Sequence, residues 1–405
     1  MIRPWRPPRH YVKWGCFLLA IILLLPFPFW IDHSRTLVQA SPFAAICTVL
    51  TGAAFGIGSI PGLIFAAIAL VRNRWFCRNI CPVGLLLDTV TGIGPGKYSW
   101  WKKSPYIGRY IALLTLTGAV TGYPLFLWMD PLAFFNSAFS VYTAANLLSA
   151  FLSLTGIIVL LLIALTSGNL WCARLCPLGA TQDILADIVS FLKRPLESIN
   201  SKRREQSGIG YTFSATRRTF LTIVTGTGLS LYAKKVRGAD SLNDPLHPPG
   251  AIEKDEFSGQ CLRCGNCMRV CPSKIIHPDT GQAGLLGLLA PVVRFKKEYC
   301  VEKCNLCTMV CPSGALQKLS LKQKQEYVIG EAILDASLCY LVRGVNDCNI
   351  CERSCPFDAI QFYWDDEAYV AFPVVDTLKC NGCGACEVYC PTGKIKAIRV
   401  WKAAG

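Results

Sequence analysis

A chain of 405 residues that is 52% hydrophobic, with a mean hydropathy of +0.37, is too apolar for a wholly soluble protein of this size and points to several membrane spans. Its net charge of +15 raises nucleic acid as a partner. The distribution excludes it: residues 1–238 carry 23 Lys/Arg against 7 Asp/Glu (+16), and residues 239–405 carry 18 against 19 (−1), the pattern that cytoplasmic loops of a membrane protein produce.

Arg3, Arg6, Arg9 and Lys13 precede a first apolar span at about residues 14–31 and set the N-terminus inside. A signal peptide is disfavoured, because Pro26, Pro28 and Trp30 stand where a small-residue cleavage site would be. Ser41-Pro42 reads as an N-cap with proline at the first helical position. The apolar stretch 43–71 is long and interrupted by Gly52, Gly56, Gly58, Pro61 and Gly62. It is either a short re-entrant helix followed by a second span, or one tilted span. Arg72, Arg74, Arg78, Lys97, Lys102, Lys103 and Arg109 return the chain to the cytoplasm. A third span follows at about 110–128, Asp130-Pro131 repeats the cap-plus-proline pattern, and a fourth span lies at about 147–166. Lys193, Arg194, Lys202, Arg203 and Arg204 are again inside. Asp32, His33 and Asp130 are polar groups near the outer face, readable as acceptors of quinol protons or as ordinary loop-end residues.

This half contains a repeat. Trp75-Phe76-Cys77-Arg78-Asn79-Ile80-Cys81-Pro82-Val83-Gly84 matches Trp171-Cys172-Ala173-Arg174-Leu175-Cys176-Pro177-Leu178-Gly179, with one residue fewer after the tryptophan, and Asp88 and Asp183 each follow the second cysteine by seven. Pro28-Phe29-Trp30 and Ser41-Pro42-Phe43 are echoed by Leu125-Phe126-Leu127-Trp128 and Asp130-Pro131-Leu132. Each copy reads as two spans ending in C-x3-C-P at the cytoplasmic face. Cys77, Cys81, Cys172 and Cys176 together supply the four thiolates of one [4Fe–4S] cluster, with a redox dithiol and plain helix-end structure as the other readings. Cys16 and Cys47, inside spans, read as packing.

On these motifs the first half resembles the polytopic iron–sulfur membrane subunit of quinol dehydrogenases that feed periplasmic nitrate reductase. Membrane proteins of nitrous oxide respiration and of cytochrome oxidase assembly share the same domain. The joint at Thr216-Arg217-Arg218-Thr219-Phe220-Leu221 fits a twin-arginine export signal followed by a short apolar stretch to Ala233, which forms a fifth span. Lys234, Lys235 and Arg237 then follow, and they support the opposite reading, an ordinary basic flank with the following domain left inside. Residues 239–256 are a polar linker with Pro245, Pro248 and Pro249.

Four cysteine runs end the chain: Cys261-Cys264-Cys267-Cys271, Cys300-Cys304-Cys307-Cys311, Cys339-Cys348-Cys351-Cys355 and Cys380-Cys383-Cys386-Cys390. A proline follows each run, at Pro272, Pro312, Pro356 and Pro391. The first and fourth have the bacterial ferredoxin spacing C-x2-C-x2-C-x3-C-P; the second and third stretch the first gap. Three cysteines of a run grip one cluster, and the fourth, expected at a helix start, reaches the partner cluster. Sixteen cysteines make four [4Fe–4S] clusters. Zinc would use isolated pairs, often with histidine, and the chain has four histidines; disulfides would not repeat this spacing.

Residues 250–400 resemble the four-cluster ferredoxin subunits that carry electrons for respiratory molybdenum enzymes, so the chain looks like the two subunits fused. The resemblance to four-cluster relatives implies that the first run shares its clusters with the fourth and the second with the third; sequential pairing is the rival. The fold expected is a polytopic α-helical membrane domain (1–190), two two-helix repeats plus an anchor helix (191–238), then an α+β ferredoxin-like domain (239–405). No C-x-x-C-H occurs, and His10, His33, His247 and His277 are not paired within spans, so no haem is expected. No Rossmann glycine fingerprint or P-loop appears.

The function expected is respiratory electron transfer in the cytoplasmic membrane, from the quinol pool through the clusters to a terminal reductase outside, with the N-terminus inside. Transfer from a cytoplasmic donor, or metal handling during assembly of a respiratory enzyme, are the alternatives. An inner cluster and outer clusters would be separated by about 30 Å of hydrocarbon, too far for one fast tunnelling step.

Overall fold

The computed structural model describes residues 9–25, 35–52, 57–93, 105–144, 147–193, 217–238, 245–366 and 370–402. Asp32, His33, Lys97, Lys102, Lys103 and the basic stretch Arg194 to Arg204 lie outside the described residues.

The first half is helical: α1 (Arg9–Leu24), α2 (Thr36–Gln39), α3 (Pro42–Leu50), α4 (Ile60–Val71), α5 (Trp75–Asn79), α6 (Pro82–Ile93), α7 (Ile107–Val120), α8 (Pro131–Ala138), α9 (Leu147–Ser167), α10 (Pro177–Lys193) and α11 (Arg217–Gly238). Among the described residues only α9 is both long and apolar enough to cross a bilayer, with 21 residues and a hydropathy of 2.7. The stretch 43–71 is two helices, α3 and α4, with a left-handed Gly52 (φ +69°) after the first. Both predicted caps form. The Ser41 hydroxyl accepts from the Ala44 N–H at 3.3 Å, and the Asp130 carboxylate accepts from the Leu132 N–H at 2.8 Å.

The two caps also meet: the Ser41 hydroxyl donates to the Asp130 carboxylate, and both residues are fully buried. Asp130 is therefore not a loop-end group. It sits where the equivalent helices of the two repeats touch. Each repeat does not end at its cysteines, as the motif suggests, but continues into a helix opened by the proline, α6 at Pro82 and α10 at Pro177. The repeated aspartates tie these helices down, Asp88 to Lys13 at 3.1 Å and Asp183 to Arg74. A third ion pair joins Asp187 of α10 to Arg109 at the start of α7.

The second half consists of short elements: α12 (Lys254–Gln260), α13 (Asn266–Val270), α14 (Gly284–Gly287), α15 (Leu306–Met309), α16 (Leu321–Glu326), α17 (Ile350–Arg353) and α18 (Ala385–Tyr389). Its strands are β1 (Ile276–Pro278), β2 (Pro291–Val293), β3 (Glu331–Leu334), β4 (Ile360–Asp365), β5 (Val370–Val375) and β6 (Ile398–Trp401). They pair as three two-stranded antiparallel sheets, β1–β2, β3–β6 and β4–β5. Such ribbons are marginal alone, and the core they enclose interleaves aliphatic residues with seven cysteines, Cys261, Cys300, Cys307, Cys339, Cys383, Cys386 and Cys390.

The halves pack together. Asn136 at the end of α8 donates to the Cys264 carbonyl (2.6 Å) and to the Asn266 side chain (2.7 Å). Arg35 donates to the Met309 carbonyl at 2.8 Å. Leu262 and Cys264 belong to the same apolar core as Phe135, Cys81 and Cys176. Helix α11 runs alongside α7, with Gly226 against Leu114 and Thr117, and Gly118 against Ser230. Both helices start at a basic end, Arg109 and Arg217-Arg218, and finish beside the second half. There Gly122 faces Glu256, and the Lys234 ammonium reaches Glu256 (2.6 Å) and Asp255 (3.7 Å) of α12.

Candidate iron–sulfur centres

In each run of the second half the first three cysteines lie on a loop that turns into a one-turn helix. The third cysteine is inside that helix: Cys267 in α13, Cys307 in α15, Cys351 in α17 and Cys386 in α18. The fourth follows the helix end, with Cys271 and Cys390 as C-caps, not at a helix start as expected. Gly265 and Gly384 make the turns at φ +77° and +84°. A Cβ would meet Ser140 at 3.0 Å in the first case and collide with the Phe295 ring in the second, so only glycine fits.

Four tetrathiol sets result. Cys261, Cys264 and Cys267 line one chamber with Cys311. Cys380, Cys383 and Cys386 line another with Cys355, and Cys339, Cys348 and Cys351 a third with Cys390. The fourth set is Cys300, Cys304 and Cys307 with Cys271, whose charges act on one another. The first run thus pairs with the second and the third with the fourth. The expected pairing of first with fourth is overturned, because each exchange of fourth cysteines is made between runs adjacent in sequence, and Asn266 binds α13 to the second run through the Val310 carbonyl at 3.3 Å.

The chambers suit a cluster. All described cysteines are free thiols. Among the described residues no three His, Cys, Asp or Glu side chains converge tightly enough for a single metal ion; a cubane spreads its four thiolates farther apart. Backbone N–H groups point at sulfur, Arg263 at Cys261 (3.4 Å), Leu316 at Cys311 (3.3 Å) and Ala359 at Cys355 (3.4 Å), the contacts that set cluster potentials. Burial, reinforced by neighbouring thiols, pushes Cys264 and Cys383 up to about 12. Metal-free thiols there stay neutral, so iron loading displaces protons. At Cys390 burial acts in the same direction, but hydrogen bonds from Thr392 and from backbone N–H groups outweigh it and lower the thiol.

The first half holds a fifth such set. Cys77, Cys81, Cys172 and Cys176 converge: Cys172 and Cys176 act electrostatically on Cys77, and Cys81 acts on both Cys172 and Cys176. The Gln182 amide donates to Cys77 sulfur (3.0 Å) and the Gly84 N–H to Cys81 sulfur (3.4 Å). The Cys81 N–H bonds back to the Phe76 carbonyl (3.1 Å), and the Cys176 N–H to the Trp171 carbonyl (2.8 Å) across a π-turn over Trp171–Leu175. Trp171 therefore corresponds to Phe76, not to Trp75, and the missing residue falls before it. Cys16 and Cys47 join none of these sets.

Comparison with known proteins agrees. The 4Fe-4S dicluster domain family matches residues 260–339 and 346–394, and a second 4Fe-4S binding domain family matches residues 54–100 and 149–195, spanning both C-x3-C pairs. The methylamine utilization ferredoxin-type protein MauM of Methylorubrum extorquens is 30% identical over 187 residues, 44% of this chain and 82% of that protein. The ferredoxin-type protein NapG of Escherichia coli is 32% identical over 190 residues, 43% of this chain and 80% of the relative. The chain belongs to the MauM and NapG family of ferredoxin-type proteins. The ferredoxin-type protein NapF of Escherichia coli is also similar, 31% identical over 152 residues, 38% of this chain and 84% of NapF. No solved structure matches this ferredoxin-type chain.

Its chemistry is accordingly iron–sulfur electron transfer. When bound, the clusters supply one-electron redox capacity; the chain's residues hold them by thiolate, aim N–H groups at sulfur and keep water out.

Proposed function

We propose that this ferredoxin-type protein is a multi-pass membrane protein that oxidises quinol and passes electrons through five [4Fe–4S] clusters to a reductase on the outer side. Four clusters lie in the C-terminal half, held by the sets described above, and one is held by Cys77, Cys81, Cys172 and Cys176. The chain holds no haem in this reading. The observation that carries the reading is the placement of α8. Asp130 at its start acts electrostatically on Cys81 and Cys176, and Asn136 near its end hydrogen-bonds the backbone of Cys264. An eight-residue helix is about 12 Å long. The membrane set and the first ferredoxin set thus share one packed core with α8, and in this reading the gap between them is far shorter than the roughly 30 Å expected.

Orientation is supported by charge. Lys13, Arg109, Arg217 and Arg218 mark one end of the helices, and the C-terminal half is docked at the other. By the positive-inside rule the basic end is cytoplasmic. Lys234, which taken alone opposed export, is paired with Glu256 and Asp255 of the docked half.

A second reading, transfer from a cytoplasmic donor, is favoured by one contact. Gly108, beside basic Arg109, packs so closely on Leu175 and Cys176 that a Cβ there would meet their carbonyl oxygens at 2.8 and 3.0 Å, so the membrane set is near the basic end. Purified protein separates the two. Anaerobic quinol should reduce the clusters as seen by electron paramagnetic resonance, and the iron content should be about twenty per chain, falling to about sixteen in Cys77→Ser/Cys172→Ser. Reduction by a reduced flavodoxin-type donor but not by quinol would favour the second reading. Equal iron in both forms would remove the fifth cluster.

A further inference from the structure

A cavity of about 280 Å³ lies between α8, α9 and the first cysteine run. Its walls are apolar and aromatic, with Trp128, Phe134 and Trp171 among them. Three features mark it as more than a packing gap. First, it touches both redox neighbourhoods: Arg263 and Met268 belong to the loop of Cys261, Cys264 and Cys267, while Trp171 precedes Cys172. Second, Trp171 is 5% exposed and its indole N–H is buried without a hydrogen-bond partner. A buried donor left unmade is costly, and such donors are normally paired. The equivalent residue of the first repeat is Phe76, which has no such group, so the polar donor is present on one side of the pseudo-symmetric pair only. Third, Val159 lines the cavity and is 45% exposed on the outer surface of α9, the helix with the strongest span character. A lipid-dissolved molecule can therefore enter from the side.

We propose that this cavity is the site where the quinol ring binds and is oxidised; the proposal rests on the quinol reading above. The ring lies among Trp128, Phe134 and Trp171. The Trp171 ring turns slightly on binding, so that its N–H, closed off in the empty cavity, donates to one ring oxygen. The Ser137 and Ser153 hydroxyls, whose hydrogens go to the Phe134 and Ser153 carbonyls and to the Ser149 carbonyl, keep oxygen lone pairs for a quinol O–H. The quinol gives up two electrons, one at a time, to oxidised iron–sulfur clusters beside the cavity. Its two protons go to water on the side of the C-terminal half, and quinone leaves along α9.

The test uses the full-length, cluster-loaded protein in detergent or nanodiscs. A photoreactive azido-naphthoquinone should label α9 between Leu152 and Leu160, together with Trp171, and quench tryptophan fluorescence on binding. Trp171→Phe keeps the ring and should weaken quinone binding about fivefold, the effect of one lost hydrogen bond. Val159→Trp fills the cavity from the lipid side. It should abolish labelling and slow quinol-driven cluster reduction at least tenfold, with the dithionite-reduced resonance spectrum unchanged. Labelling elsewhere, with both variants reduced by quinol at the wild-type rate, overturns the site and leaves the quinol reading standing. Failure of quinol to reduce the wild-type clusters, when dithionite does, overturns both.

Discussion

Arg74 is held in the left-handed backbone region, φ +53°, at the N-cap of α5, a conformation that costs a non-glycine residue about 1–2 kcal/mol. The guanidinium shows what offsets that cost. It forks onto both Asp183 oxygens at 2.8 and 2.5 Å and also donates to the Cys172 carbonyl at 3.3 Å, so one side chain of the first repeat fixes the cysteine turn of the second. Both side chains are about a quarter exposed (26% and 25%), so Arg74→Ala should cost about 2–3 kcal/mol, less than a fully buried pair. The expected readouts are a lower unfolding temperature and loss of about four irons per chain. At Cys271 the shared set makes a different prediction. Cys271→Ser should alter the resonance and potential of the cluster held by Cys300, Cys304 and Cys307, and leave the cluster of Cys261, Cys264 and Cys267 intact. A change confined to the latter would contradict the sequential pairing.

Among the elements, α8 separates what the sequence makes legible from what it does not. Its start is readable, because Asp130-Pro131 is a cap followed by a proline whose fixed φ suits the first helical turn. Its depth is not, because the partner of Asp130 is Ser41, 89 residues away. Helices α6 and α10 are hidden in the sequence for a related reason. Each begins at the proline that closes a cysteine motif, and α6 has only 12 residues in which to develop a period. The cysteine spacing within each run identifies a cluster loop locally, but which run supplies the fourth thiolate is a tertiary fact set by contacts such as Asn266 to Val310. Asn136, the bolt between α8 and the first cluster loop, carried no signal either; a lone asparagine has none. It is 1% exposed and donates twice. Asn136→Ala should therefore loosen the docking by about 1–3 kcal/mol, seen as easier proteolysis between the halves and a shifted potential for the cluster nearest Cys264. An unchanged potential would place that cluster away from α8.

At the scale of the molecule, the two halves act as one conductor only if they sit on the correct sides of a bilayer. The structure puts the basic helix ends and the C-terminal half at opposite poles, and the Lys234 ion pairs fasten α11 to α12 at the second pole. On the proposed reading, the C-terminal half acquires its clusters before crossing and needs export in the folded state, and Arg217-Arg218 is the signal we assign to it. The deciding measurement is protease accessibility in spheroplasts of cells making the full chain. Protease added outside should digest the C-terminal half of the wild type, and Arg217→Lys/Arg218→Lys should protect it while the N-terminal half stays with the membrane fraction. Protection of the wild type as well would put the cluster domain in the cytoplasm and contradict electron delivery to an outer reductase.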